Sequence, residues 1–316
     1  MPAGLIDNFG IDTPFAYVTV PQVREAGIKN KTDDPEFGVD DAPLRGLIRT
    51  MSHWINRLTT QWFLPVRLKQ PVDGARGSIA RMPNQIPILD LFRLRLEREG
   101  LISFDYPTIA FQVKNRYVMM VTRHVRLPEY PHFVVLDGVF GWQQNAFTPV
   151  RTTLSVALDP VAGEAKVVDA TKFRPGDAVL VGSEPEPKAL HFIVEEVDTS
   201  GSPHVLRYDP ELTFRDPEVP AGTRVARYGQ VPDLIQRACL LMIRDRIVRV
   251  GELDTAEDPF GIGTRLNSES VEGYSYSLGA TPAQHGHAGG SWTTGNVEVD
   301  DYLQEYSMPN MYIGLA

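Results

Sequence analysis

The sequence predicts an α+β fold, a helical body with short strands interrupted by a small inserted β-barrel or sandwich. Two long amphipathic stretches, DDAPLRGLIRTMSHWINRLTTQWF and VPDLIQRACLLMIRDRIV, predict the helices. The alternation in LFRLRLER predicts strands beside them. Short valine-rich runs punctuated by turn residues over Leu154–Tyr228 predict the insertion.

The opening segment, Met1 to Gly38, is rich in Pro, Gly and Asp and predicts one short helix near Pro21–Ala26. Lys29–Asp41 reads as an exposed acidic loop. Asp40 or Asp41 then offers an N-cap, and Pro43 falls in the first turn, where proline is tolerated. Leu44, Leu47, Ile48, Met51, Ile55 and Leu58 follow at helical spacing, until Pro65 stops the helix. The period then shortens to two. Phe92, Leu94 and Leu96 alternate with Arg93, Arg95 and Glu97, and Val66–Gln70, Tyr117–Val121 and Phe133–Leu136 are further strands. Asp73-Gly74 and Asp137-Gly138 read as turns between them. In the valine-rich region the predicted strands are Lys166–Val168, Ala178–Val181, Phe192–Val197 and Thr223–Ala226. Helical spacing returns at Val231, with Leu234, Ile235, Ala238, Leu241 and Met242 as the apolar stripe and Gly251 as the stop. Tyr274, Tyr276 and Leu278 alternate as a strand, Ala283–Gly295 reads as flexible, and Val299–Tyr306 predicts a last short helix.

Composition bounds the function. With 42% hydrophobic and 22% charged residues, the 316-residue chain can bury a substantial core. A formal charge of −9 argues against a surface built to grip nucleic acid by neutralising phosphates. The lone Cys239 excludes an intramolecular disulfide and fits a reducing compartment. MPAGLIDNFG lacks the basic and apolar regions of a signal peptide, and no apolar run approaches a membrane span. A soluble protein made in the cytoplasm is expected.

Each candidate for chemistry has a plainer explanation. Cys239 lies mid-helix between Ala238 and Leu240, the setting of a buried, inert thiol. His285 and His287 form a His-Gly-His pair in a glycine-rich loop, with no further ligand until Asp300 and Asp301, so no metal site is expected. Asp33-Asp34, Asp40-Asp41 and Asp300-Asp301 stand at loops or helix starts, where capping and the helix dipole account for them. FRPGDAVLVG is similar to a strand-turn of self-splicing Hint domains, but the nucleophile and terminal His-Asn such domains need are missing. Gly261–Gly263 is not a dinucleotide fingerprint, and the sequence has no P-loop, Gly-x-Ser-x-Gly or His-Glu-x-x-His. No catalytic residue, cofactor or metal is predicted, and an assembly role ranks ahead of an enzymatic one.

Taken in order, several phrases resemble the head–tail adaptor (connector) family of tailed bacteriophages. VPQVREAG (Val20–Gly27) is similar to its opening short helix, and DDAPLRGLIRTMSHWINRLTTQWFLP (Asp40–Pro65) to its acidic start, long helix, Thr-x-x-Phe and Pro. VDGARGSIARMPNQIPILDL (Val72–Leu91) and VLDGVFGW (Val135–Trp142) resemble the strands that follow. VPDLIQRACLLMIRDRI (Val231–Ile247) resembles its second helix, and GIGTRLNSESVEGYSYSL (Gly261–Leu278) with VEVDDYLQEY (Val297–Tyr306) its last strand and closing helix. The departure is the β-rich insertion, which many members lack. The resemblance implies a helical adaptor body over residues 1–146 and 230–316, with an inserted β-domain over 147–229. It implies a non-enzymatic virion protein of the neck, a homo-oligomeric ring, usually twelve-fold, that contacts the portal protein and a tail or neck protein. DNA would pass through the lumen without specific binding. No membrane is involved. Adaptor C-termini commonly reach into the portal, so Met308, Met311, Tyr312, Ile313 and Leu315 of the apolar C-terminal tail are the candidate portal- or neighbour-docking residues. Two other readings stand beside this one: a virion surface or binding protein whose β-insertion recognises a host or capsid surface, and a hydrolase with an unrecognised site among the His and Asp residues, which loss of turnover on mutating His285 or Asp300 would reveal.

Overall fold

The computed structural model describes residues 15–35, 38–59, 61–72, 79–81, 86–98, 101–114, 117–121, 127, 134–144, 149–182, 190–213, 219–252, 269–271, 274–276, 294 and 296–306. Two short-range choices start the fold. Thr19 caps α1 (Val20–Glu25) in a reciprocal box with Gln22, and Pro21 lies in its first turn. The apolar stripe of α2 (Asp41–Thr59) then buries Leu44, Ile48, Met51 and Ile55, while Leu47 is only half-buried.

From Val66 the chain is β for most of its described length. β1 (Val66–Val72), β2 (Ile79–Arg81), β3 (Ile88–Arg98), β4 (Leu101–Tyr106), β5 (Phe111–Lys114), β6 (Tyr117–Met120) and β7 (Val134–Phe140) make two antiparallel sheets, ordered β1-β7-β3-β4 and β2-β6-β5. They enclose a core of their own that includes Ala80, Leu94, Val118, Val134, Leu136 and Phe140. A second β unit follows. β8 (Val150–Thr153), β9 (Glu164–Val167), β10 (Asp177–Val181), β11 (Leu190–Ile193), β12 (Glu196–Asp198), β13 (His204–Arg207) and β14 (Arg224–Gln230) form sheets ordered β11-β10-β14-β8 and β12-β13-β9. Their core includes Leu154, Val167, Phe173, Val179, Phe192 and Val225.

The chain closes with α3 (Asp233–Glu252), the hairpin β15 (Glu269–Val271) and β16 (Tyr274–Tyr276), and α4 (Val297–Gln304). The four helices share one core with the 15–20 segment and with Trp62, Phe63 and Leu64. In that core α2 presents Ile48 and Ile55, and α3 presents Ile235, Ala238, Cys239 and Ile243. Leu241 and Met242 only flank it, and Leu234 is half-buried, so the buried stripe of α3 is turned from the predicted one. Gly251 is helical and does not end α3. Among the described residues no helix is long and apolar enough to cross a membrane.

The expected helical adaptor body with an inserted domain is therefore corrected. The described chain is mostly antiparallel sheet, four larger sheets and a hairpin, with few helices. The segment expected to lend a few strands to that body builds a two-sheet unit with its own core, because β1 to β7 pair with one another. Strand β10 shows how the parts join. Val179 and Val181 face the second unit's core, Ala178 joins the helical core, and Leu180 meets Val139, Ala226 and Tyr228 between the two β units. A strand covered on both faces becomes an unbroken apolar run, as in DAVLV.

Candidate functional site

Nothing in the described residues assembles a reaction centre. No group of three or more His, Cys, Asp or Glu stands close enough to hold a metal ion among them. Cys239 is fully buried, 3.9 Å from Ser52 Oγ, and burial pushes its thiol up to about 12, leaving it protonated and inert. Asp300 accepts from the Thr294 backbone N at 2.7 Å, and Asn296 caps α4 through the Glu298 and Val299 amides. The carboxylate is thus used to shape a helix start. His285, His287 and the tail residues Met308, Met311, Tyr312, Ile313 and Leu315 lie outside the described residues.

Three joints instead hold the parts in register. The first is aromatic. Tyr17 donates its hydroxyl to Asn56 Oδ1 of α2, accepts from the Phe63 backbone N at 3.4 Å, and its own N donates to Ser52 Oγ at 3.1 Å. Burial raises the Tyr17 pKa well above its ordinary value, so this hydroxyl stays a donor. Phe15 packs 4.7 Å from Trp62, and Tyr306 closes the cluster edge-on to Phe63 and Trp142 at 5.2 and 5.5 Å. The first described residues and the end of α4 are thereby fixed to the same helical core.

The second joint is ionic and binds the two β units. Asp90 Oδ2 accepts from Arg151 at 2.8 Å and from Arg224 at 2.9 Å, both on the second unit. Arg67 and Arg224 lie over the Phe92 ring, 4.5 and 5.2 Å from its centre, a cation–π contact. Arg67 also pairs with Asp137, and both side chains are buried. A bulge in β3 opposite β7, between Leu91 and Arg93, makes this possible. It turns Phe92 away from the face used by Leu94 and Leu96, towards the second unit. Gly138 sits against the same irregularity, since a Cβ there would come 2.3 Å from the Asp90 carbonyl oxygen. An open cleft of about 310 Å³ beside the joint is lined by Pro149, Val150, Arg151, Asp169 and Lys172.

The third joint is the seam between α2 and the second unit. Arg45 Nε donates to the buried Asp209 at 2.6 Å, next to a cavity of about 10 Å³ lined by His191, Asp209, Leu212 and Thr213 among others. Beyond these joints, one corner of the first unit is apolar and open. Ile109 is 86% exposed and Phe104 51% exposed, with Val113 and Val121 partly exposed nearby. Ile109 sits in the turn between β4 and β5, Phe104 and Val113 lie on those strands, and Val121, just after β6, donates its amide to the Ala110 carbonyl at 2.9 Å. Among the described residues β4 and β5 each pair on one side only, at the ends of their sheets.

Sequence reasoning missed most of these residues. Arg95, on the polar side of the predicted alternation, is buried and paired with Asp105 at 3.2 Å, and Asp137, read as a turn residue, lies within the fully buried strand β7. An ion pair across strands far apart in sequence leaves no local pattern. The exposed apolar corner had one available signal: Pro-Thr-Ile-Ala places an isoleucine in a turn, outside any periodic run. No family model matches the chain, and no match is found among curated proteins.

Proposed function

We propose that the chain is a structural virion protein, a head–tail adaptor subunit that assembles into a ring between the portal and the tail or neck components and extends the DNA channel. The observation that carries the reading is convergence. Four of the phrases that carry the resemblance, Val20–Gly27, Asp40–Pro65, Val231–Ile247 and Val297–Tyr306, contribute to one helical core although they span most of the sequence. An order of phrases that also meets in space is a stronger signal than the order alone. A further feature supports an assembly role. The exposed apolar side chains Phe104, Ile109, Val113 and Val121, beside strand edges that are unpaired among the described residues, are of the kind a neighbouring subunit covers. In a heterologous ring the patch of each copy meets a different surface of the next.

In this reading the protein has no catalytic activity, needs no cofactor, and acts in the neck after being made in the host cytoplasm. DNA passes without being gripped, in keeping with the −9 charge and dispersed basic residues. The test is co-sedimentation of the purified protein with tailless, portal-bearing capsids encoded by the same genome. Stoichiometric capture that portal-free shells do not show is the expected result. Absence of capture, or equal capture by portal-free shells, would overturn the reading.

A further inference from the structure

The helical core leaves two outward helix faces of opposite charge. α2 turns Leu44, Ile48 and Ile55 inward, and its other side carries Gly46, Arg49, Thr50, Trp54 and Arg57. Arg49, Thr50 and Arg57 are exposed, and Trp54 is half-buried without joining a hydrophobic cluster among the described residues. Gly46 keeps this face low, since a Cβ there would meet nothing within 4 Å. α4 turns Val299 and Leu303 inward, and its outward side carries Val297, Asp301, Gln304 and, at the still-helical cap, Glu305. Val297 is 75% exposed, on a helix that holds Glu298, Asp300 and Asp301 and no Lys or Arg.

The charges on these faces are unspent. Among the described residues Arg49, Arg57, Asp301 and Glu305 take part in no ion pair, whereas their neighbours do: Arg45 pairs with Asp209 at 2.6 Å and Arg237 with Glu298 at 3.0 Å. At about 1.5 Å per residue, Arg49 and Arg57 stand about 12 Å apart along α2, and Glu298 to Glu305 span about 10 Å of α4. Both helices pack on the shared core through their opposite sides, so the two faces point outward and are left to a partner.

We propose that copies of this chain join by seating the acidic face of α4 on the basic face of α2 of the next copy, with Asp301 and Glu305 against Arg49 and Arg57 and Val297 beside Trp54. The contact rests on the adaptor reading, in which copies meet head to tail. Two unlike surfaces of one chain that fit each other make a heterologous contact, which can repeat around a ring. A second copy is the occupant because this chain itself carries both charges over matching spans. Copies of net charge −9 repel one another, so a contact between them needs local complementarity of this kind. Gly46 lets the α4 backbone come close, and Trp54 beside Arg57 supplies the aromatic and guanidinium anchors common at interface centres.

The test is sedimentation velocity of the purified full-length chain over a range of concentration and salt, with folding checked by circular dichroism. The wild type should self-associate, less so as salt rises. Arg49→Glu with Arg57→Glu should weaken association at least about tenfold, as should Asp301→Lys with Glu305→Lys. An equimolar mixture of the two doubly substituted proteins should associate again, because one then carries two acidic faces and the other two basic ones. Gly46→Gln favours the helix and should raise thermal stability, yet weaken association. Association that either charge reversal leaves unchanged, or that the mixture does not recover, would overturn the contact. Should a charge-reversed protein fail to fold, wild-type association by Gly46→Gln would overturn it equally. A wild type that stays monomeric throughout would overturn it as well, and its capture or not by portal-bearing capsids tells that failure from a failure of the adaptor reading.

Discussion

Ile55 and Leu241 show what side-chain spacing reveals and what it hides. Both were expected in the core, yet Ile55 is fully buried and Leu241 only flanks the helical cluster. Ile55→Ala should therefore cost about 2–5 kcal/mol in urea unfolding, and Leu241→Ala about 1 kcal/mol. The difference arises because α3 is wedged between α2 and α4, and its buried line runs through Ile235, Ala238, Cys239 and Ile243. Periodicity shows that a stripe exists. Which side of a broad stripe faces inward depends on the neighbours. Buried charge was less legible still, since nothing near Arg67 in the sequence announces Asp137. Arg67→Ala should leave that carboxylate buried without its counter-ion and lower stability by about 3–5 kcal/mol. Replacing both members with apolar residues should cost less, and a double-mutant cycle measures the difference.

Helices announced themselves and strands did so unevenly. The stripes of α2 and α3 run for 19 and 20 residues, and α4 ends close to where Val299, Tyr302 and Leu303 placed it. Strands such as β2, β5 and β12 have three or four residues, too few for alternation to stand out. In β3 the alternation was readable, but the bulge reversed the side on which Phe92 points, which an unbroken period of two cannot anticipate. The turn joining β4 to β5 carries the next prediction. Ile109→Lys places a charge on a residue already in solvent, so thermal stability should change by less than about 0.5 kcal/mol. Self-association should be lost in analytical ultracentrifugation if this corner is covered by a second copy. The same mutation leaving association untouched would remove the corner from the interface.

The whole protein differs most from its sequence-based expectation. A helical body with one β insertion was read because long helical stripes dominate any local pattern. The chain instead builds two β units, each with its own core, and gathers its helices into a third core that touches both through residues such as Val66 and Ala178. Sheet pairing over long sequence distances, as between β1 and β7, is what local reading cannot supply. In the adaptor reading, deleting Pro309–Ala316 should leave a folded protein that no longer joins portal-bearing heads, which a sedimentation assay detects. Duplex DNA should bind weakly at physiological salt, without the steep salt dependence of a phosphate-gripping surface. The most direct measurement is electron microscopy of the purified full-length chain, alone and mixed with its portal protein. Closed rings with an open axial channel, seated coaxially on the portal, are the predicted result. Particles that stay monomeric at high concentration and leave the portal bare would contradict it.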